Sequence, residues 1–261
     1  MKNSNEISFQ MMGGLGNILF SLATAYSISL KNNLKFKLYY NHQGYLHTNP
    51  NKYKNNLFKN FSNIEDISNF EIINEKQFNP YRIEIPKNKN IFLRGYFQSE
   101  KNFIDIRENL IEHLKPSKEL HDFINEKYKD ILNKQCVSVH VRRGNYKNLT
   151  NYHSLLSPDY YYKALKNFKN HNILIFSDDI EYCKNIFNNY KCSYIQNDFD
   201  LYDLYLMSLC NHNIIANSTF SWWGAWLNQN KNKKVISPNQ WFGPLSNFNS
   251  KDIIPENWTI I

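Results

Sequence analysis

Cys136–Tyr146 reads C-V-S-V-H-V-R-R-G-N-Y, and the fold follows from this stretch. Val137, Val139 and Val141 alternate with Ser138 and His140, a pattern that predicts a strand. Two arginines, Gly144 and Asn145 follow with no spacer, so the strand feeds a tight turn. C-terminal to it, Ser157 and Pro158 start a predicted helix, as N-cap and first helical residue, that runs over 160–168. Strands are predicted at 172–176, 193–195, 213–216 and 235–236, with helices at 180–187 and 201–210 between them. This alternation implies an α/β fold with a parallel, doubly wound sheet. Ligands of such sheets bind at the carboxyl ends of the strands, where this strand delivers His140, Arg142, Arg143 and Asn145.

On the N-terminal side, Ile7–Met12 predicts a buried strand. G-G-L-G-N at Gly13–Asn17 then leads into apolar residues at helical spacing. Strand, glycine-rich turn and helix offer unpaired N–H groups to an anion, although the glycine spacing is not the dinucleotide fingerprint. Further strands are predicted at 34–40 and 91–97, and helices at 102–114 and from 118 onward. Residues 41–86 mix asparagine, lysine and aromatics without sustained period and predict short helices and loops. His42, Tyr45, His47 and Tyr53 lie in that segment; their chemistry suits either a sugar face or a solvated loop. The domain boundary is expected within 114–135, dividing the chain into 1–131 and 132–261.

The formal charge of +8 implies anionic partners, but the lysines are scattered and form no basic stripe. A nucleic-acid-binding module is therefore the weaker alternative, and no nucleic-acid partner is expected. The four cysteines show no CxxC spacing and no accompanying His pair, which argues against a zinc site. No apolar run reaches the ~18 residues a membrane helix needs, because Gly13, Gly14, Gly16 and Asn17 interrupt the uncharged N-terminal region. The expectation is a cytoplasmic protein with no integral membrane segment.

Three predicted strand ends carry polar clusters: His140/Arg142/Arg143/Asn145, Ser177/Asp178/Asp179 and Asn217/Ser218/Thr219/Ser221. Arginine forks and hydroxyls at a helix start suit a diphosphate. The aspartates suit a base or ribose, or, as the plainer reading, helix capping, which accounts for one of them. Trp222, Trp223 and Trp226 fit the buried face of a helix. D-F-D at Asp198–Asp200 imitates a metal motif, but it precedes a helix and is read as a capping segment; no metal ligands are assigned.

Together, G-G-L-G-N, H-V-R-R-G-N-Y, F-S-D-D and I-I-A-N-S-T-F-S-W-W-G-A-W-L resemble glycosyltransferase family 11, the α-1,2-fucosyltransferases, from Gly13 to Pro238. The resemblance implies a GT-B-like arrangement of two Rossmann-like domains with the donor cleft between them. It implies an inverting, metal-independent transfer of L-fucose from GDP-fucose to the 2-hydroxyl of a terminal sugar, galactose-type, on a glycan acceptor. GDP-fucose is then a substrate, and no cofactor is expected. Carried over by position, Arg142 resembles the arginine that contacts the GDP β-phosphate, supported by Arg143, with His140 helping to order the nucleotide. Gly14, Gly16 and Asn17 resemble the loop that faces the donor, Ser218 and Thr219 the phosphate-side hydroxyls, and Asp178 a guanine or ribose contact. The family pattern has aspartate where this chain has Asn145, and asparagine cannot accept a proton at neutral pH. His153 is the alternative base, since imidazole titrates near neutrality. That departure also keeps open a non-catalytic GDP-sugar or glycan binder.

Overall fold

The computed structural model describes residues 5–41, 45–76 and 83–261. It forms two compact units, Met1–Ser117 with Lys251–Pro255, and Lys118–Ser250 with Glu256–Ile261.

In the first unit, β1 (Glu6–Phe9) is followed by the long helix α1 (Leu15–Asn32). The helix starts inside the glycine cluster. Gly14 is its N-cap, and Gly16 and Asn17 belong to its first turn, so the turn is shorter than the sequence suggests. Gly13 adopts φ +67° and bridges Leu46, donating to the Tyr45 carbonyl and accepting from His47 N–H. A Cβ at Gly13 would lie 2.4 Å from the Asn17 Nδ2. The chain continues through β2 (Lys35–Phe36), β3 (Leu38–Tyr39), β4 (Asn63–Ile64), β5 (Phe70–Asn74) and β6 (Asn90–Arg94), then α2 (Arg107–His113). The sheet order is β2-β1-β6-β5, all parallel, with β3 and β4 forming a separate parallel pair.

The second unit begins with α3 (Lys118–Lys127) and α4 (Lys129–Leu132). The valine-rich stretch ahead of the arginine pair is β7 (Cys136–Val141), with all six residues buried. It is followed by α5 (Pro158–Leu165), β8 (Asn172–Ser177), α6 (Ile180–Ile186), β9 (Cys192–Ile195), α7 (Asp200–Leu209), β10 (His212–Ile214), α8 (Thr219–Leu227), β11 (Val235–Ser237) and β12 (Thr259–Ile260). The sheet order is β12-β11-β10-β7-β8-β9, and every pair is parallel.

The two-residue period of β7 sorts its side chains onto the two covered faces of the sheet. Val137, Val139 and Val141 pack with Tyr161, Ala164 and Leu165 of α5 and Cys183 of α6. Ser138 and His140 point the other way. Ser138 accepts from Asn213 Nδ2 at 2.7 Å, and that amide also reaches the Met207 carbonyl of α7. The His140 ring lies 5.9 Å from that of Phe220 in α8. Helices α7 and α8 approach closely at Gly224, where a Cβ would lie 2.9 Å from Met207 Cβ.

Trp222, Trp223 and Trp226 are buried and mutually in contact, as the helical spacing implies. Other expectations need correction. Residues 70–74 form a full strand where only helices and loops were expected. D-F-D, by contrast, stands at the start of α7 as a capping segment should, with Phe199 at the N-cap position and Asp200 as the first helical residue. Tyr53 is buried and hydrogen-bonded to Thr48, so it is core, whereas Tyr45 is 74% exposed. His42 lies outside the described residues.

Candidate active site

Because β7, β8 and β10 are parallel neighbours, their carboxyl ends share one edge of the sheet. Direct contacts join the turns that leave these strands. Arg142 Nη1 pairs with Asp178 Oδ2 at 2.8 Å, and its Nη2 donates to Asn145 Oδ1, also at 2.8 Å. The other Asp178 oxygen accepts from the Arg143 backbone N–H at 2.8 Å. Asp178 thus ties the turn after β7 to the end of β8, and it remains 27% exposed, with lone pairs to offer a ligand.

Arg143 takes a different role. Its guanidinium lies 3.5 Å from the Tyr182 ring centroid, and its Nε pairs with Asp179 at 3.2 Å. Asp179 also meets Lys147 Nζ and caps α6 by accepting from Tyr182 N–H. Partial burial pushes the Asp179 carboxyl up, but the Tyr182 N–H, Lys147 and Arg143 more than offset this and leave it below the ordinary range. Of the two aspartates, then, Asp179 is the helix cap and Asp178 the anchor of Arg142.

Gly144 is required by close approach, since a Cβ there would lie 2.5 Å from Asp178 Oδ2. Ser177 secures the neighbouring backbone, donating to the Val141 carbonyl and accepting from Asp179 N–H.

His140 is 7% exposed, and its Nδ1 is buried without a hydrogen-bond partner. Burial pushes its pKa down to about 4; Arg142 pushes the same way, and Asp178 opposes. The imidazole is therefore neutral at physiological pH. Asn217 follows β10, and its amide donates to the carbonyls of Ser154 and Trp241. Ser218 is the N-cap residue of α8 and Thr219 its first residue; the Ser218 hydroxyl makes no cap bond, while its carbonyl accepts from Trp222 N–H.

His153 stacks on Tyr146, with ring centroids 4.3 Å apart and planes 8° apart. Tyr146 Oη donates to the Asn217 carbonyl at 3.2 Å. The Tyr146 ring also stands 5.3 Å from the Arg142 guanidinium carbon. Arg142, Asn145, Asp178 and His153 are thereby linked through side-chain contacts, with His140 in the electrostatic reach of Arg142 and Asp178. Gly14, Gly16 and Asn17 lie in the first unit, where Asn17 Oδ1 accepts from Gln98 Nε2 at 3.0 Å. Sequence reasoning missed Tyr146 and Tyr182, although each stands within reach of a motif arginine on the same turn or the next helix. Among the described residues no group of three or more His, Cys, Asp or Glu is placed to hold a metal ion, and no helix is long and apolar enough to cross a membrane.

Residues 45–261 match the model of the family described as Glycosyl transferase family 11. The α-1,2-colitosyltransferase of Escherichia coli is 31% identical, with 97% of each chain covered. The Escherichia coli O-antigen biosynthesis glycosyltransferase WbnK is 36% identical over 58% of this chain, which spans 55% of that relative's length. Among solved structures, fucosyltransferase NodZ from Bradyrhizobium superposes with a TM-score of 0.57 at 13% identity, covering 85% of this chain and 92% of that one. A mutant of Arabidopsis thaliana FUT1 in complex with GDP gives 0.54 at 11% identity, covering 89% and 70%. At such identities the structures show the fold alone, which is α/β and GT-B-like.

Proposed function

Since the chain belongs to glycosyl transferase family 11, we propose that this glycosyltransferase moves L-fucose from GDP-fucose to the 2-hydroxyl of a terminal galactose-type sugar on a glycan. The observation that carries the reading is the Arg142 guanidinium, oriented by Asp178 and Asn145 at the carboxyl edge of a parallel sheet. As the bond between the anomeric carbon and the diphosphate oxygen breaks, negative charge grows on GDP. A preoriented cation there stabilises that charge without reorganising. The acceptor hydroxyl oxygen forms the new bond on the opposite face of the sugar, which inverts the anomeric carbon. Its proton passes to a base, for which His153 is the candidate, beside Asn145 as an orienting group.

In this reading Ser218 and Thr219, at the start of α8, serve the diphosphate, as does His140, while Asp178 and Arg143 hold Arg142 and the turn. Asp178 also offers its exposed lone pairs to the base or ribose. Gly14, Gly16 and Asn17 are the donor-facing group of the first unit, and a division of the whole chain into two Rossmann-like domains, placed by the sequence at 1–131 and 132–261, belongs to the same proposal.

The test is GDP release from GDP-fucose against acceptors ending in galactose, rhamnose, glucose or N-acetylglucosamine. Arg142→Ala is expected to lower kcat by about 10²–10³-fold, with an unchanged near-ultraviolet circular dichroism spectrum. Turnover is expected to persist in EDTA; loss in EDTA with recovery on manganese would overturn the metal-independent step. A second reading, colitose as the transferred sugar, is favoured by the 31% identity to the colitosyltransferase over 97% of both chains. A GDP-colitose arm in the same assay separates the two, and absence of turnover with either donor would favour a binding protein.

A further inference from the structure

Tyr146 closes the motif after β7, and it contacts three parts of the site at once. Its ring stacks on His153, at 4.3 Å and 8°. The guanidinium carbon of Arg142 lies 5.3 Å from its ring centroid. Its hydroxyl donates to the Asn217 carbonyl at 3.2 Å, reaching the segment that leads from β10 into α8.

We propose that Tyr146 is the positioning residue that holds the His153 imidazole and the Arg142 guanidinium in one fixed relation. The inference rests on the function proposed above only for what those two groups do, not for where they are held.

His153 belongs to the loop before α5, and Arg142 to the turn after β7. Arg142 has two anchors besides the tyrosine, Asp178 and Asn145. His153 has a backbone bridge to Phe242 and a backbone bond to Leu149, which fix its main chain, and the Tyr146 ring lies flat against its imidazole. A flat aromatic face limits the tilt of a stacked imidazole, and it attracts a guanidinium through its quadrupole. The hydroxyl bond to Asn217 sets the rotation of the tyrosine itself. Burial pushes the Tyr146 pKa up; Arg142 opposes and Asp178 adds to the rise, so the hydroxyl stays a donor at neutral pH. A tyrosine that merely filled the core would touch apolar side chains; this one touches two charged or titratable groups and a main-chain carbonyl.

The test uses the full chain carrying Tyr146→Phe or Tyr146→Leu, with three readouts: the dissociation constant of GDP by calorimetry, kcat for donor turnover, and the His153 ring-proton NMR signal, assigned by its loss in His153→Gln. Phe keeps the ring and removes only the Asn217 bond, so kcat is expected within about fivefold of the parent, the scale of one net hydrogen bond. Leu removes the ring. With Arg142 still anchored by Asp178 and Asn145, GDP affinity is expected to change less than about fivefold, while kcat falls about 100-fold, as for a misplacement of ~1 Å. The His153 signal, shifted upfield by the tyrosine ring in the parent and in the Phe variant, is expected to return to the ordinary imidazole position in the Leu variant.

If the Leu variant does not fold, Tyr146→Met, of similar reach and without a ring, gives the same comparison. An unchanged His153 signal in the ringless variant would overturn the proposal. So would equal losses in GDP affinity and kcat, which mark general disruption of the site. If the parent turns over no donor, the proposed function fails, and the NMR comparison alone decides the role of Tyr146.

Discussion

Asn145 stands where the family resemblance leads one to expect aspartate, and its Oδ1 accepts from Arg142 at 2.8 Å. Aspartate would keep that bond and add a second negative charge beside an arginine already paired with Asp178. Asn145→Asp is therefore expected to weaken GDP binding by about two- to fivefold, the scale of a partly exposed ion pair, measured by calorimetry at low salt. A rise in kcat instead would assign the proton transfer to position 145. His140 gives a second prediction at this scale. Its folded pKa, about 4, lies below its ordinary 6.5. The unfolded chain binds the extra proton between these values, so stability is full above pH ~6.5 and falls toward pH ~4. His140→Asn is expected to flatten that part of the urea-midpoint curve against pH; an unchanged slope would show that other groups carry it. The motif arginines were legible from their place after a strand, but the partners that hold each of them were not. Those partners are Asp178, Asp179 and Tyr182, whose approach to β7 is set by tertiary pairing.

From β7 to β11 the elements of the second unit were legible because each buried strand or helix face carries its own apolar period, β7 most plainly, whereas the exposed two-residue β12 has none and was not expected. In contrast, β5 reads F-E-I-I-N with mostly exposed positions at a sheet edge, so its strand character comes from pairing with β6. Tyr53 misled for a related reason: a core aromatic among asparagines and lysines has no periodic partner in the sequence. Gly224 shows how finely α7 and α8 are matched. Alanine would gain about 1 kcal/mol of helix propensity, but its Cβ would meet Met207 Cβ, next to the backbone, at 2.9 Å. Overpacking of that kind costs about 1–3 kcal/mol. Gly224→Ala is expected to be net destabilising by up to about 2 kcal/mol, seen as a lower urea midpoint; a higher midpoint would mean that the helices separate freely.

At the scale of the whole molecule, the C-terminal stretch serves both units. Lys251–Pro255 packs with the first, where Asp252 pairs with Lys101 at 2.5 Å. The next residues return to the second, where β12 covers β11 and Trp258 lies 5.4 Å from Trp222. A chain ending at Ser250 would leave β11 as an unprotected edge and open the tryptophan cluster. Such a truncation is expected to lower the melting temperature and promote aggregation, read by scanning fluorimetry and light scattering. Replacing Lys101 alone is expected to do little, because exposed ion pairs contribute about 0–1 kcal/mol. The sequence leads to a single boundary within 114–135, whereas the return of 251–255 carries no local signal at all.

That return also sets a timetable during synthesis. The first unit has almost all its residues by Ser117, yet it lacks a packed segment until Pro255 has been added. At about 5–20 residues per second, the wait is on the order of ten seconds. Through that interval the nascent first unit exposes the surface that 251–255 will cover, so its folding is completed only near the end of the chain.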